Sequence, residues 1–511
     1  MEKAGEVLQE GQAKLLLDKK NIFYNPVQEF NRDLSIAVLS QYSKERSAES
    51  GLRILEALSA TGLRSIRYAK EVPGVAEVLA NDIAAEAVES IRRNAAYNEV
   101  GSIVKPSHED ATMVMYQNRK TKFDAVDLDP YGCPSIFLDG AVQCLNDNGL
   151  LLVTATDMAI LAGNFPQTCY TKYGSVSLKS KACHEIALRI LLQCIAGHAA
   201  RYGKCIVPLL SVSADFYIRV FVKVYTSKSA CKLNTSNLAM VYQCVGCESM
   251  TLQPLGITTD KNQQKLPQVP AVDKLCEFCQ HKHHLGGPIW IGPLHDKDFV
   301  HRILAEIDSE DDNGTKKLGT IIRIRGVLHM VYEELEVPLY YQLDRLTSTI
   351  RVVVPPMVQF RSALLNAGYK VSYSHANKTS IKTDAPNHVL WDIIRAWEKE
   401  HPVKREKLPD KSPGLAILNG ISVTKVSFEK HDDAVPFSQQ KKLRRFQVNP
   451  VAFWGPGSKS TVMMTQEAHD KYLSKKKRNQ NKKRKKEEQH SADDPSNEEK
   501  RGKITEEDAC A

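Results

Sequence analysis

The chain has 511 residues, 25% charged and 42% apolar, a composition that buries a core and leaves room for two or three domains. It holds no run of about 18 apolar residues, which excludes a membrane-spanning helix. The stretch up to Lys20 is polar and mixed in charge, which excludes a secretory signal and speaks against a mitochondrial pool. The net charge of +9 says little about the folded body, because Lys475 to Lys486 alone carries nine Lys or Arg.

Read in chain order, Pro26 blocks any helix before it, and apolar periodicity predicts one after Arg32-Asp33. Phe23 and Tyr24 fall in the preceding loop, where packing against a domain edge is the plain reading. Alternation typical of βαβ units follows. Residues 53–58 read as a strand, 59–62 as a turn, 65–72 as a helix, 75–80 as a strand ending at Asn81-Asp82, and 84–97 as a helix. Residues 107–111 form a polar turn. Residues 123–129 read as a buried strand, 134–145 as a helix and 150–155 as a strand. Strands separated by helices predict a parallel sheet covered on both faces.

The strand at 123–129 ends abruptly in Asp129-Pro130-Tyr131-Gly132. Open α/β sheets deliver chemistry from the carboxyl ends of their strands. An acid-Pro-aromatic turn there suits methyl transfer to an exocyclic amine on a nucleobase. The carboxylate accepts an N–H, a turn carbonyl takes a second hydrogen bond, and the aromatic ring stacks on the base. An ordinary Asp-Pro turn after a strand is the competing reading. Asp82 has two readings as well, a ligand at a strand end or the N-cap of the next helix.

Residues 180–203 read as a long helix, and 205–225 alternate like a closing hairpin. Residues 227–237 look like a linker. Cys244, Cys247, Cys276 and Cys279 then form two C-x-x-C knuckles, a spacing that places four thiolates around a structural zinc ion. His281, His283 and His284 crowd the second knuckle as alternative ligands. The other cysteines follow no scaffold spacing and should stay reduced. Further α/β signals fill 288–400: helices at 299–307, 357–367 and 389–398, strands at 349–354 and 369–373, and an apolar-periodic segment at 321–335. Basic and aromatic residues interleave from Tyr369 to Lys382, as on a surface for a phosphate backbone. Phe453-Trp454 reads as a last docking element. Beyond Thr465 the composition is that of a disordered tail, and its run at Lys475–Lys486 suits nuclear import machinery or non-specific RNA attraction.

The order of strands and helices resembles a class I S-adenosylmethionine-dependent methyltransferase. Such a fold implies that Asp82 binds the cofactor's ribose, that residues 59–62 lie against its methionine part, and that Asp110, with Ala111 beside it, meets the adenine. Only Gly62 is present in that first turn, so a G-x-G-x-x-G search would miss it. More specifically, the chain resembles a eukaryotic member of the tRNA (guanine-26-N2)-dimethyltransferase family. The carrying stretches are residues 23–33, 56–67, Asn81-Asp82, 127–132, 154–159, 169–174, 182–185, 213–217 and 382–386.

The resemblance implies a Rossmann-like catalytic domain at 21–226 after an N-terminal extension at 1–20. It adds a C-terminal α/β domain at 227–460 that grips tRNA and carries the zinc module at 244–279, then a disordered basic tail at 461–511. Arg32 and Arg64 would hold the cofactor's carboxylate end and Asp129 would be the catalytic carboxylate. Phe23 and Tyr131, next to Pro130, would sandwich a flipped guanine. The basic tail implies a nuclear protein, with a cytoplasmic pool compatible with it. Two rival functions share these residues: an adenine amino-methyltransferase, and a zinc-containing RNA chaperone on an inert methyltransferase fold.

Overall fold

Phe123, Ala125, Val126 and Leu128 are all fully buried, alternate positions included. A strand buried on both faces belongs inside a parallel sheet with helices above and below. The computed structural model, which describes residues 6–17, 24–46, 51–261, 263–312 and 318–446, places it there. A hairpin of β1 (Glu6–Glu10) and β2 (Ala13–Leu17) precedes α1 (Glu29–Arg46). Then β3 (Leu52–Glu56), α2 (Leu63–Glu71), β4 (Val75–Asp82), α3 (Ala85–Tyr97) and β5 (Val104–His108) alternate. They are followed by α4 (Ala111–Gln117), β6 (Phe123–Leu128), α5 (Ser135–Cys144) and β7 (Leu145–Ala155). Helices α6 (Pro166–Tyr173) and α7 (Cys183–Ala200) lead into the hairpin β8 (Lys204–Ala214) and β9 (Tyr217–Thr226).

The seven strands lie in the order β5-β4-β3-β6-β7-β9-β8, with β9 antiparallel to both neighbours and the first five parallel. This is the expected α/β methyltransferase sheet. The chain reverses its direction of travel across the sheet between β3 and β6, the point at whose strand carboxyl ends open α/β sheets have their ligand crevice.

After Thr226 the expected linker is taken up by a short α8 (Lys228–Lys232) and a 3-10 turn at Asn234–Asn237. Strands β10 (Leu238–Cys244), β11 (Met250–Pro254), the two-residue pair β12 (Ile257–Thr258) and β13 (Gln264–Lys265), and β14 (His283–Trp290) follow. Helices α9 (Lys297–Asp312) and α10 (Ile321–Glu333) return to the first half, where Phe299 and Ile324 share a core cluster with Phe30 and Leu34. A separate cluster around Trp391 contains all four knuckle cysteines and is built from β15 (Tyr341–Gln342), α11 (Leu343–Ile350), α12 (Met357–Asn366), β16 (Val371–Ser374), β17 (Asn377–Thr383), α13 (Asn387–Glu400) and α14 (Pro413–Leu418).

Three expectations are corrected. Residues 349–354 are no strand. Leu343, Leu346, Thr347 and Ile350 are buried at helical spacing, so Thr349 and Ile350 end α11, and residues 352–354 run on as irregular backbone. Arg351 closes that helix at φ 61°, and Pro355-Pro356 follow. The basic and aromatic stretch from Tyr369 turns partly inward: Lys382, His375 and Tyr373 are buried, and only Lys370 and Lys378 of its basic residues stay exposed. Residues 6–17, expected only as an extension, form a hairpin with Ala13 and Leu15 fully buried. Asn98, which caps α3, and Asn94 within it accept hydrogen bonds from the Lys14 and Leu16 amides at 2.9 and 3.0 Å. Phe453-Trp454 and the basic tail lie outside the described residues.

Candidate active site

The sheet brings most of the expected residues to one edge of the crevice. Asp129 follows the last residue of β6, and its Oδ2 accepts a hydrogen bond from the Arg64 guanidinium at the start of α2. Arg64 also lies 3.6 Å from Asp127 and 3.7 Å from Glu56. Asp127 is paired a second time, by Arg219 of β9 at 2.8 Å, and accepts from the Tyr68 hydroxyl at 2.5 Å. Burial works against charge on these groups, but the arginines outweigh it at Asp127, whose carboxyl sits below the usual carboxylate range. Burial wins at Glu56, whose carboxyl is pushed up to about 7 despite Arg64.

Asp129 differs from its neighbours in opening outward. Its side chain is 25% exposed, against 7% for Arg64 and 0% for Asp127. Among the described residues its Oδ1 takes no protein hydrogen bond, so that oxygen faces whatever enters the crevice. Tyr131 is 70% exposed two residues on. Burial and then the charges of Asp129 and Asp82 push its hydroxyl up to about 12.

Asp82 ends β4 and accepts from the Ala60 and Ala84 amides at 2.9 and 3.0 Å. Ala84 is itself the cap of α3, so Asp82 is not the N-cap of that helix. Each of its oxygens takes one amide and keeps a lone pair free for a further donor. Asn81, fully buried, donates to the carbonyls of Ala57 and Glu109 at 3.1 and 3.0 Å and so fastens the first turn and the Asp110 turn to the end of β4. Asp110 caps α4 through the Thr112 and Met113 amides, with Ala111 buried behind it. Ile83 and Met113, next in the chain to Asp82 and near Asp110, are 69% and 49% exposed, apolar surface the sequence reading did not single out.

Arg32 stands apart. Its guanidinium forms a two-pronged pair with Glu10 of β1 at 2.6 and 2.5 Å and donates to the Asn25 carbonyl at 3.1 Å. Tyr24 lies against it, 5.4 Å from ring centre to guanidinium carbon. In the structure Arg32 thus answers a protein carboxylate, and nothing in the local sequence marks Glu10 as its partner. Phe23 lies outside the described residues.

The four knuckle cysteines are buried with their sulfurs all within 4.8 Å of one another, Cys244 and Cys279 at 3.3 Å and Cys247 and Cys276 at 3.7 Å. A tetrahedral site with metal–sulfur bonds of about 2.3 Å has S···S edges of about 3.8 Å, so the donor set fits. His281 points its Nδ1 at the Cys279 carbonyl, 2.7 Å away, and is not among the grouped ligands, nor are His283 and His284. A second group, His295, Glu334 and His375, is equally close, but its tautomers oppose a metal. The Ser211 amide donates to His295 Nδ1 and the Ser213 amide to His375 Nε2. His375 therefore carries its proton on Nδ1, which donates to Glu334 at 2.7 Å, and His295 carries its own on Nε2, while Lys382 already neutralises the Glu334 carboxylate at 2.7 Å.

Comparison with known proteins agrees with this arrangement. The family described as N2,N2-dimethylguanosine tRNA methyltransferase matches residues 4–395. The tRNA (guanine(26)-N(2))-dimethyltransferase of Drosophila melanogaster is 52% identical, over 87% of this chain and 85% of its own length. The enzyme of that name in Homo sapiens is 46% identical, over 88% and 76%. The structure of Trm1 from Pyrococcus horikoshii with S-adenosyl-L-methionine superposes with a TM-score of 0.65 at 31% identity, covering 75% of this chain and 98% of that one. With Asp129, Asp82 and Arg64 set round one crevice of a methyltransferase sheet, the chain belongs to the N2,N2-dimethylguanosine tRNA methyltransferase family.

Proposed function

We infer that this chain uses S-adenosylmethionine to methylate the exocyclic N2 of guanine 26 in tRNA, first once and then a second time. The observation that carries the reading is the half-open Asp129, held by Arg64 on one oxygen and facing the crevice with the other. Guanine N2 is a poor nucleophile because its lone pair is delocalised into the ring. Asp129 accepts an N2–H bond, turns the lone pair outward, and takes the proton as the nitrogen becomes tetrahedral. The bound cofactor supplies an electrophilic methyl on a sulfonium. Holding the amine and the methyl donor together in line would contribute on the order of 7–11 kcal/mol in favourable cases. Tyr131, with Phe23 opposite, offsets the few kcal/mol lost on unstacking the base. Asp82 suits the ribose, Asp110 and Ala111 the adenine, and Arg64 the carboxylate end. Arg32 serves that end only by leaving Glu10.

Three features support the rest of the reading. The four-cysteine group suits a structural zinc ion, testable as about one zinc per purified chain that is lost in Cys276→Ser. A cleft of about 470 Å³ lined by Arg351, His401, Lys404 and Lys407, with no acid in its wall, suits the tRNA backbone. The run at Lys475–Lys486 suits nuclear import, and a fusion lacking it should spread through the cytoplasm. Mass spectrometry of tRNA nucleosides after incubation with labelled cofactor decides the reaction itself: N2-methyl- and N2,N2-dimethylguanosine are expected, and N6-methyladenosine in their place overturns the reading.

A further inference from the structure

We propose that Thr156 is a positioning residue for methyl transfer, holding the Asp129–Gly132 turn in its working shape; the proposal rests on the reading of that turn as catalytic. Gly132 sits at φ +81°, and a Cβ there would meet no atom within 4 Å. Glycine is thus required by backbone conformation and not by space. A residue in that left-handed region makes a soft corner unless something fixes it, and Tyr131 hangs on its N-terminal side. Thr156 fixes it twice. The Gly132 amide donates to Thr156 Oγ1 at 2.7 Å, and the Thr156 amide donates back to the Gly132 carbonyl at 3.0 Å.

This is not the β6–β7 ladder running on. The ladder pairs Leu128 with Val153, and its continuation would set Gly132 against Asp157. The turn instead closes on Thr156 from both sides, and the threonine hydroxyl, not a backbone carbonyl, accepts from the Gly132 amide.

Thr156 can act as a brace because its own neighbours are anchored. Thr154 Oγ1 accepts from Arg219 at 2.7 Å, and Arg219 is the partner of Asp127 two residues before Asp129. Asp157 accepts from the Tyr173 hydroxyl at 2.6 Å, and its carbonyl accepts from the Ile160 and Leu161 amides. The segment 154–157 therefore joins the buried floor beneath Asp129 to the corner after Tyr131. Carboxylate and stacking ring are held at one spacing, which is what an in-line transfer to a stacked base demands.

The test compares Thr156→Val, which keeps shape and loses the acceptor, with Thr156→Ser, which keeps the acceptor, alongside Asp129→Asn. Thr156→Val should lower kcat for tRNA methylation by about 10- to 100-fold, the scale of a misplaced reactive group. Its cofactor Kd and its melting temperature should stay at the parent values, and Thr156→Ser should recover kcat to within about threefold of the parent. A Thr156→Val enzyme with parental kcat, or a Thr156→Ser enzyme as slow as Thr156→Val, overturns the proposal while an inactive Asp129→Asn leaves the catalytic reading standing. An active Asp129→Asn enzyme overturns that reading, and this proposal with it.

Discussion

Two buried charge networks are built from the same kinds of residue and do opposite things. One gathers Arg64, Arg219, Asp127, Glu56 and Asp129 at the carboxyl ends of β3 and β6. The other gathers Glu185, Glu334, Lys382 and His375 where α7 meets α10 and β17. In the second every side chain named is at most 1% exposed, and so is Arg189, which pairs with Glu185 from outside the four. In the first, one member, Asp129, is a quarter exposed and keeps an oxygen for the crevice. Charge and burial alone do not mark a functional site. What marks it is a charged network with one group left open.

The contrast is broken most directly by removing the open group. Asp129→Asn should lower methylation by about 10²- to 10⁴-fold, the worth of a positioned general base, with unfolding free energy nearly unchanged. The closed network should behave the other way round. Glu334→Gln strips a partner from Lys382 and His375, and a buried pair broken on one side costs about 3–5 kcal/mol, read by urea unfolding, while kcat per folded molecule is kept. Glu334 with an active-site phenotype, or Asp129 with only a stability phenotype, would abolish the distinction.

A pH series sharpens the same contrast. The lysine and histidine around Glu334 outweigh its burial and hold its carboxyl well below the usual carboxylate range. Its stabilisation is therefore present above the unfolded value and is lost only as pH falls through that low folded value, beneath the neutral range. Glu56 has the opposite sign. Its folded value of about 7 lies above the ordinary 4.5, so the folded protein holds the proton more tightly and stability declines as pH rises between those values. Relative to the parent, Glu56→Gln should gain about 3 kcal/mol between about pH 5 and pH 8, whereas Glu334→Gln should show a flat difference over that range.

These networks also show what a sequence can disclose. Asp82, Asp129 and the four cysteines were legible because their signals are local: a carboxylate at the end of an apolar run, an Asp-Pro-aromatic-Gly turn, two paired spacings. Lys382 was not. It sits among basic and aromatic residues and reads as surface, while its partners Glu185 and Glu334 are 197 and 48 residues away. Glu10 and Thr156 escaped notice for the same reason, since their partners Arg32 and Gly132 are 22 and 24 residues distant. The misread strand at 349–354 shows the other failure. Its β-branched residues favour extended backbone, but Ile350 is drawn into the buried face of α11, while Val353 and Val354, 60% and 46% exposed, pair with no strand among the described residues.

The smallest effect belongs to charges that are open from the start. Lys404, Lys407 and Arg351 are exposed around a cleft beside Val353, and His401 stacks on Trp397 with ring centres 3.9 Å apart and planes at 26°. Solvated lysines gain nothing from the fold, so removing them should leave stability and kcat at the parent values. If they contact RNA phosphates, each contact adds about 0.7–0.9 to the slope of log affinity against log salt. Lys404→Ala with Lys407→Ala should then flatten that slope by about 1.5 and raise the KM for tRNA several-fold at moderate salt, a loss of about 1 kcal/mol. The two readouts must move together. A raised KM with an unchanged slope would mean a local distortion, and an unchanged KM would leave the cleft as plain solvated surface and move the grip on tRNA elsewhere.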